Sequence, residues 1–304
     1  MASLPLVSIV TVNFNGLLHT EALLHSLQKI SYSPIEIFVV DNASSESLNS
    51  LQVNFPDVVF IFSNENLGFA AGNNLAIHQV KGKYTLLLNN DTEVETGFLE
   101  PLVELMELNE RIGIVSSKIL YFQNPTMIQY AGNTGINRYT GRGFTIGYNA
   151  IDSGDYSLSC QTQLAHGAAM LISQKVFENV GLMAELFFLY YEEIDFCERV
   201  KQAGFEIWYC GASKVFHKES MSVGKESPLK MYYLTRNRLV FIRRNSKGME
   251  LVSALLFFMF ISYPIGFLRL LFKGQFSLLW AFNKGVFWNL FHHAIFENQV
   301  LIKL

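Results

Sequence analysis

Through its first 120 residues the chain alternates short β-branched runs with longer helix-like stretches, and few folds admit that rhythm. The strand-like runs are Val7–Phe14, Ile35–Asp41, Val58–Ser63, Tyr84–Asn89 and Ile112–Ser116. Between them lie Leu17–Gln28, Glu46–Asn54, Ala70–Val80 and Gly97–Leu108, which read as helices. Strand–helix alternation at this spacing requires crossover connections, so it predicts a Rossmann-like, doubly wound, mostly parallel α/β sheet. Ile37-Phe-Val-Val40 and Thr85-Leu-Leu-Leu88 are continuously apolar, as strands buried on both faces must be.

The strand ends are polar. The first run ends at Asn13, the second at Asp41-Asn42, the third at Ser63-Asn64 and the fourth at Asn89-Asn90-Asp91. Open parallel sheets bind ligands beyond the carboxyl ends of their strands. Any one of these residues is explained as an ordinary turn former. Four successive ends, two with a carboxylate, predict a ligand rim instead.

Composition narrows the function classes. Half of the 304 residues are hydrophobic and 16% are charged, with a formal net charge of −3 that gives no general attraction for nucleic acid. Cys160, Cys197 and Cys210 have neither metal-like nor disulfide-like spacing and read as reduced thiols of a cytoplasmic protein. The apolar run Val7–Val12 is short, has no basic leader and ends in Asn-Phe-Asn-Gly, so it reads as a strand and not as a secretory signal.

Several segments carry candidate chemistry. A single carboxylate at the end of a rigid strand, as in Asn89-Asn90-Asp91, suits a hard divalent cation that keeps positions for substrate phosphates. The loop Asn64–Asn74 contains Gly68 and Gly72 beside a helix start, where backbone could approach phosphate or ribose oxygens. Tyr190-Tyr-Glu-Glu-Ile-Asp195 places three carboxylates at a helix N-terminus. The macrodipole favours them there, and one of them could serve as a general base. His217 follows a strand-like segment and could complete a cation or diphosphate site. Taken singly, each has an ordinary structural reading: a turn, a capped loop, a helix start, a packed histidine.

Together and in this order the segments resemble family 2 inverting glycosyltransferases of the GT-A fold, and among them bacterial rhamnosyltransferase-like members. The resemblance spans about residues 5–245. It is carried by Val7-Ser-Ile-Val-Thr-Val-Asn-Phe-Asn-Gly16, Val39-Val-Asp-Asn-Ala-Ser44, Asn66-Leu-Gly-Phe-Ala-Ala-Gly-Asn-Asn74 and Leu88-Asn-Asn-Asp91, then Gly167-Ala-Ala-Met-Leu-Ile172, Tyr191-Glu-Glu-Ile-Asp195, His217 and Tyr232-Tyr-Leu-Thr-Arg-Asn237.

The resemblance implies a donor site at Asn13, Asp41, Asn42, Gly68, Asn74, Asn90 and Gly167, for a dTDP- or UDP-sugar. It implies a cofactor, Mg²⁺ or Mn²⁺, held by Asp91 and His217. The family's Asp-x-Asp motif is degenerate here, because Asn89 replaces its first carboxylate. Glu193 matches the catalytic base, one methylene longer than the usual Asp, with Asp195 as the alternative. The implied reaction is a single displacement with inversion, in which a sugar such as rhamnose passes to a hydroxyl of a saccharide or polyprenyl-linked acceptor in cell-surface polysaccharide synthesis.

Beyond residue 245 the chain becomes an apolar helical tail (246–304). Leu251–Leu268 is an uncharged run of 18 residues interrupted by Pro264, with Arg243, Arg244 and Lys247 before it and Arg269 and Lys273 after. It could be a buried core helix or homodimer interface, a helix lying on an anionic membrane face, or a span, although Pro264 disfavours a straight one. Interfacial attachment would place the protein on the cytoplasmic face of the cell membrane. A nucleotidyltransferase would need a basic triphosphate loop after the first strand, where Asn13-Phe-Asn-Gly16 stands. A non-catalytic nucleotide-sugar or glycan-binding module is the alternative that the degenerate motif leaves open.

Overall fold

The computed structural model describes residues 4–218 and 227–292. The chain divides into two compact units. The first comprises Met1–Gly135, Phe144–Phe188 and Glu192–Ser222, and the second Ile136–Gly143, Leu189–Tyr191 and Val223–Leu304.

The first unit is built on one mixed sheet. Its strands are β1 (Val7–Asn13), β2 (Ile35–Asp41), β3 (Val58–Phe62), β4 (Tyr84–Leu88), β5 (Thr92–Val94), β6 (Ile112–Tyr121), β7 (Asn124–Tyr130), β8 (Cys160–Thr162), β9 (Ala169–Ser173) and β10 (Glu206–His217). The order is β3-β2-β1-β4-β9-β6-β10-β5, with β7 on β6 and β8 on β10. Strands β1, β2, β3 and β4 are parallel neighbours, as the alternating pattern predicts. The helices α1 (Leu17–Leu27), α2 (Asn49–Asn54), α3 (Gly68–Ile77) and α4 (Glu100–Leu108) connect successive strands of this half and the one beyond it. The core lies between sheet and helices and includes Ile9, Val39, Leu86, Leu23 and Leu102, all fully buried.

Two features depart from the simple alternation. Strand β9 runs antiparallel between β4 and β6. Strand β6 continues five residues past the apolar run, through Ser117 and Lys118, although both are polar and buried. Both are satisfied: Ser117 Oγ lies 2.9 Å from Ser213 Oγ, and Lys118 Nζ donates to both Asp152 oxygens at 2.9 and 3.0 Å. After β9 come α5 (Gln174–Val180) and α6 (Glu192–Gln202), which leads into β10.

The second unit is helical: α7 (Pro228–Asn245), α8 (Gly248–Phe257), α9 (Tyr263–Phe272) and α10 (Phe276–Phe291). Helix α7 starts with Ser227 accepting from Lys230 N at 3.1 Å, with Pro228 in the first turn, where its missing N–H costs nothing. Asn237 on α7 is fully buried and donates to the carbonyls of Leu189 and Tyr190, each at 2.8 Å. It thereby braces a segment in which Tyr190 and Tyr191 adopt left-handed backbone. Gly285 lets α10 approach α7 closely, since a Cβ there would lie 2.8 Å from Tyr232 O.

Helices α8 and α9 join through a π-helical turn, Phe258–Ser262, into one continuous helix, Gly248–Phe272. Proline at 264 has no N–H and its ring crowds the preceding turn, and a widened turn accommodates both. The chain therefore does not break at Pro264, contrary to what the proline alone suggests. This helix is long and apolar enough to cross a membrane, and 11% of its most apolar window is buried. The low burial speaks against a core helix of the chain's own interior.

Candidate functional site

Three of the four polar strand ends, those of β1, β2 and β4, meet in a hydrogen-bonded network, whereas the Ser63 hydroxyl at the end of β3 bonds locally to Glu65 O. Asn13 at the end of β1 is fully buried. Its amide donates to Asp41 Oδ1 at 2.9 Å and Ser44 Oγ at 3.0 Å, and its carbonyl accepts from Thr20 Oγ1 at 2.9 Å and Asn90 Nδ2 at 3.2 Å. Asn13 thus ties β1, β2 and the 89–91 turn together. Asn42 does the same for the next turn, accepting from Leu67 N at 2.9 Å and donating to Asn66 Oδ1 and Gly68 O, each at 3.0 Å.

Gly68 stands at φ +78°, where a Cβ would lie 2.2 Å from Phe188 O. Gly72 serves close packing instead, because its missing side chain seats α3 against Val12, 3.0 Å from the place a Cβ would take. Asn74 donates to Met183 O at 3.0 Å and Glu185 Oε1 at 2.9 Å. It ties α3 to the 183–185 segment, and is only 3% exposed.

Asp91 and His217 come together from the ends of β4 and β10. Asp91 Oδ1 lies 3.1 Å from His217 Nε2, and both side chains are mostly buried. His217 Nδ1 is 2.7 Å from Gln129 Oε1 on β7. Which ring nitrogen donates follows the orientation of the Gln129 amide. Burial raises the Asp91 carboxyl, but the hydrogen bond and charge of His217 outweigh that and hold it below its ordinary value.

The donor set suits a hard divalent cation. Adjacent ligands of an octahedral ion with bonds of about 2.1 Å sit about 3 Å apart, the spacing seen here. Asn89 Oδ1, two residues from Asp91, is buried with no hydrogen-bond partner among the described residues. Among those residues no three His, Cys, Asp or Glu side chains cluster as a closed metal cage. Few protein ligands are expected where substrate phosphates complete the coordination.

The three carboxylates of α6 separate by environment. Asp195 is fully buried and paired with Arg199 at 2.9 Å, whose other nitrogens donate to Val180 O and Leu182 O. Glu192 is also buried. Glu193 is half-buried and lies over Gly167, where a Cβ would come 3.7 Å from its Cγ.

The 166–168 segment joins these parts. Ala168 O accepts from Asn89 N at 3.0 Å, Gly167 underlies Glu193, and the His166 ring stands 6.0 Å from the His217 ring, edge to face. His166 was not singled out by its sequence. Its Nδ1 accepts from Ala168 N at 3.1 Å, which places its proton on Nε2. Burial, helped by His217, pushes its pKa down to about 3, so the ring is neutral. Its one sequence signal is adjacency to Gly167.

Comparison with known proteins gives the family. The model of the family described as Glycosyl transferase family 2 matches residues 8–181. The low-salt glycan biosynthesis hexosyltransferase Agl10 of Haloferax volcanii is 30% identical over 248 residues, 79% of this chain and 76% of the relative. An N-acetylglucosaminyl-diphospho-decaprenol L-rhamnosyltransferase of Mycobacterium tuberculosis is 20% identical, over 79% of this chain and 85% of its own length. Among solved structures, a Pyrobaculum calidifontis mannosyltransferase in complex with GDP-Man and Mn²⁺ superimposes with a TM-score of 0.59. It is 13% identical, over 96% of this chain and 89% of that one, so the likeness is one of fold. With the family model covering more than half of the chain and a 30% identical relative spanning most of it, this protein belongs to glycosyl transferase family 2 and is a glycosyltransferase of the GT-A fold.

Proposed function

We propose that the protein is an inverting transferase that moves a hexose from a nucleoside-diphosphate donor to a hydroxyl of a lipid-linked saccharide. The observation that carries this reading is the joining of Asp91, His217 and Glu193 around one short segment, 166–168, at the ends of the sheet strands. Asp91 and His217 would hold Mg²⁺ or Mn²⁺, which when bound supplies positive charge for the departing diphosphate. Asn13 and Thr20 keep the 89–91 turn in place. Gly167, lacking a side chain, leaves room beside Glu193 for the acceptor. Glu193 takes the acceptor hydroxyl proton while the oxygen bonds to the anomeric carbon and the bond to the diphosphate breaks. Asp195, committed to Arg199, holds α6 in place.

L-Rhamnose is the first sugar to test, supported by the name of the mycobacterial relative. The same name supports a diphospho-polyprenol acceptor, and the exposed helix Gly248–Phe272 supports attachment at a membrane face. Purified protein would be given dTDP- and UDP-sugars with Mn²⁺ or Mg²⁺ and a membrane lipid extract, and nucleoside diphosphate release followed. Metal-dependent release from one donor, lost in Asp91→Ala and Glu193→Gln, is expected. Donor binding without release from any sugar would favour a non-catalytic module instead.

A further inference from the structure

The second unit contains a cationic cluster that the transfer reaction does not use. Arg142 lies in the Ile136–Gly143 stretch and Arg238 on α7. Both direct an Nη2 at the same atom, Ser262 Oγ, each at 3.3 Å. Arg238 also donates to Thr140 O at 3.0 Å. The flat faces are taken by rings: Arg142 stands 4.9 Å from the Phe257 ring centre and Arg238 5.4 Å from that of Phe258. What remains available is the set of in-plane N–H donors.

Two like charges share a hydroxyl here, and no carboxylate among the described residues pairs with either. Glu250 is the one acid among the described residues of this unit, and it faces Arg138 at 3.7 Å. Arg238 Nε is buried without a hydrogen-bond partner among the described residues. Burial, reinforced by the charge of Arg142, lowers the Arg238 pKa. With both Ser262 lone pairs facing guanidinium nitrogens, its hydroxyl proton is left to donate. So the cluster offers donors for several anionic oxygens, and positive charge that no carboxylate among the described residues offsets.

Its surroundings specify what carries the anion. Ser262 ends the π-helical turn of the apolar helix. Met259, Phe260, Ile261 and Ile265 beside it are exposed by 57, 66, 43 and 60%. A free inorganic anion has no use for such a rim, whereas a ligand with a charged head and a hydrocarbon tail matches both parts. A diphosphate, with its larger charge, balances two guanidinium groups better than the single charge of a bilayer phosphodiester.

We propose that Arg142, Arg238 and Ser262 form a binding site for the diphosphate head of a prenyl-type lipid. The proposal rests on the lipid-linked acceptor reading and assigns that acceptor's anchoring group to named side chains.

The test uses the full chain and phosphatidylcholine vesicles in three forms: plain, with farnesyl diphosphate, and with phosphatidylglycerol. Binding is measured by co-sedimentation for wild type, Arg142→Gln, Ser262→Ala and, as a control for diffuse charge, Lys273→Gln at the C-terminal end of the apolar helix. Arg142 is exposed, so its replacement leaves folding intact, which thermal unfolding checks. Loss of one charge-assisted contact should weaken binding to the farnesyl diphosphate vesicles about tenfold in Arg142→Gln. Ser262→Ala should weaken it less, and Lys273→Gln should leave it unchanged. Unaltered binding in Arg142→Gln, an equal loss in Lys273→Gln, or an equal loss on phosphatidylglycerol vesicles would overturn the site. Nucleoside diphosphate release into water, without acceptor, separates the two readings. If release persists in all variants while the diphosphate site fails, the transferase reading stands alone. If the wild type releases product but ignores farnesyl diphosphate vesicles, the site and the lipid-acceptor reading fall together.

Discussion

Replacing Asp195 by Asn preserves the shape of a fully buried side chain and removes its charge from the 2.9 Å pair with Arg199. Removing one partner of a buried pair costs about 3–5 kcal/mol, because the remaining charge is left desolvated. Here the loss should fall at or below the lower end, about 2–3 kcal/mol. Arg199 keeps its bonds to Val180 O and Leu182 O, is 18% exposed, and can still find the Asn oxygen. Replacing Glu193 by Gln perturbs a half-buried residue in the first turn of α6, where a lost dipole interaction costs about 0.3–1 kcal/mol. If Glu193 is the base, its loss should slow turnover by about a hundred- to ten-thousandfold. The two variants should therefore split cleanly. Urea unfolding should show a lowered midpoint for Asp195→Asn and a near-normal one for Glu193→Gln. Nucleoside diphosphate release by folded protein should be within a few-fold of wild type for Asp195→Asn and nearly abolished for Glu193→Gln. A stable Asp195→Asn protein without turnover, beside an active Glu193→Gln protein, would refute the assignment.

Other expectations follow from single positions. Gly68→Ala forces a Cβ into the Phe188 carbonyl and a left-handed backbone, a loss of about 2–3 kcal/mol by the usual left-handed penalty plus one broken hydrogen bond, visible as a lowered unfolding midpoint. His166 has a folded pKa of about 3 against 6.5 unfolded. Above pH 6.5 neither state binds the proton and the residue contributes nothing. As the pH falls from 6.5 toward 3 the unfolded chain gains a proton the fold refuses, and stability drops by about 1.4 kcal/mol per pH unit. His166→Asn should flatten that part of the stability profile, and an unchanged slope would refute the reading. Burial pushes the Cys197 thiol up to about 12. At pH 8 a thiol reagent should label exposed Cys160 rapidly and leave Cys197 unreacted until the protein unfolds.

Most of the first half was legible because its apolar runs and polar strand ends repeat at short range. Strands β1 to β4 and helix α1 start at the residues their periodicity marks, and the polar ends of β1, β2 and β4 do converge. What was not legible depends on partners distant in sequence. The β6 strand passes the expected stop at Ser116 because Ser213 and Asp152 satisfy the polar residues that follow. Nothing local announces that Asn13 and Asn74 are consumed by internal ties, or that Asp195 is claimed by Arg199. His166 has no motif of its own, and Arg142 acquires meaning from Ser262, 120 positions along the chain.

The antiparallel strand between β4 and β6 also sets an order of assembly. Neighbours β1, β2, β3 and β4 are joined by short crossovers and can pair as soon as each leaves the ribosome. The β4 edge must then wait for β9, about eighty residues later, and Asp91 waits still longer for His217. Closing such long loops is slow, and it leaves an open sheet edge in the interim. The rim built on Asn13, Asp41 and Asn42 is thus complete in the nascent chain well before the elements bearing His166, Glu193 and His217 arrive. On the proposed function, a half-made protein has its turns before it has all the residues assigned to the cation and to the acceptor proton.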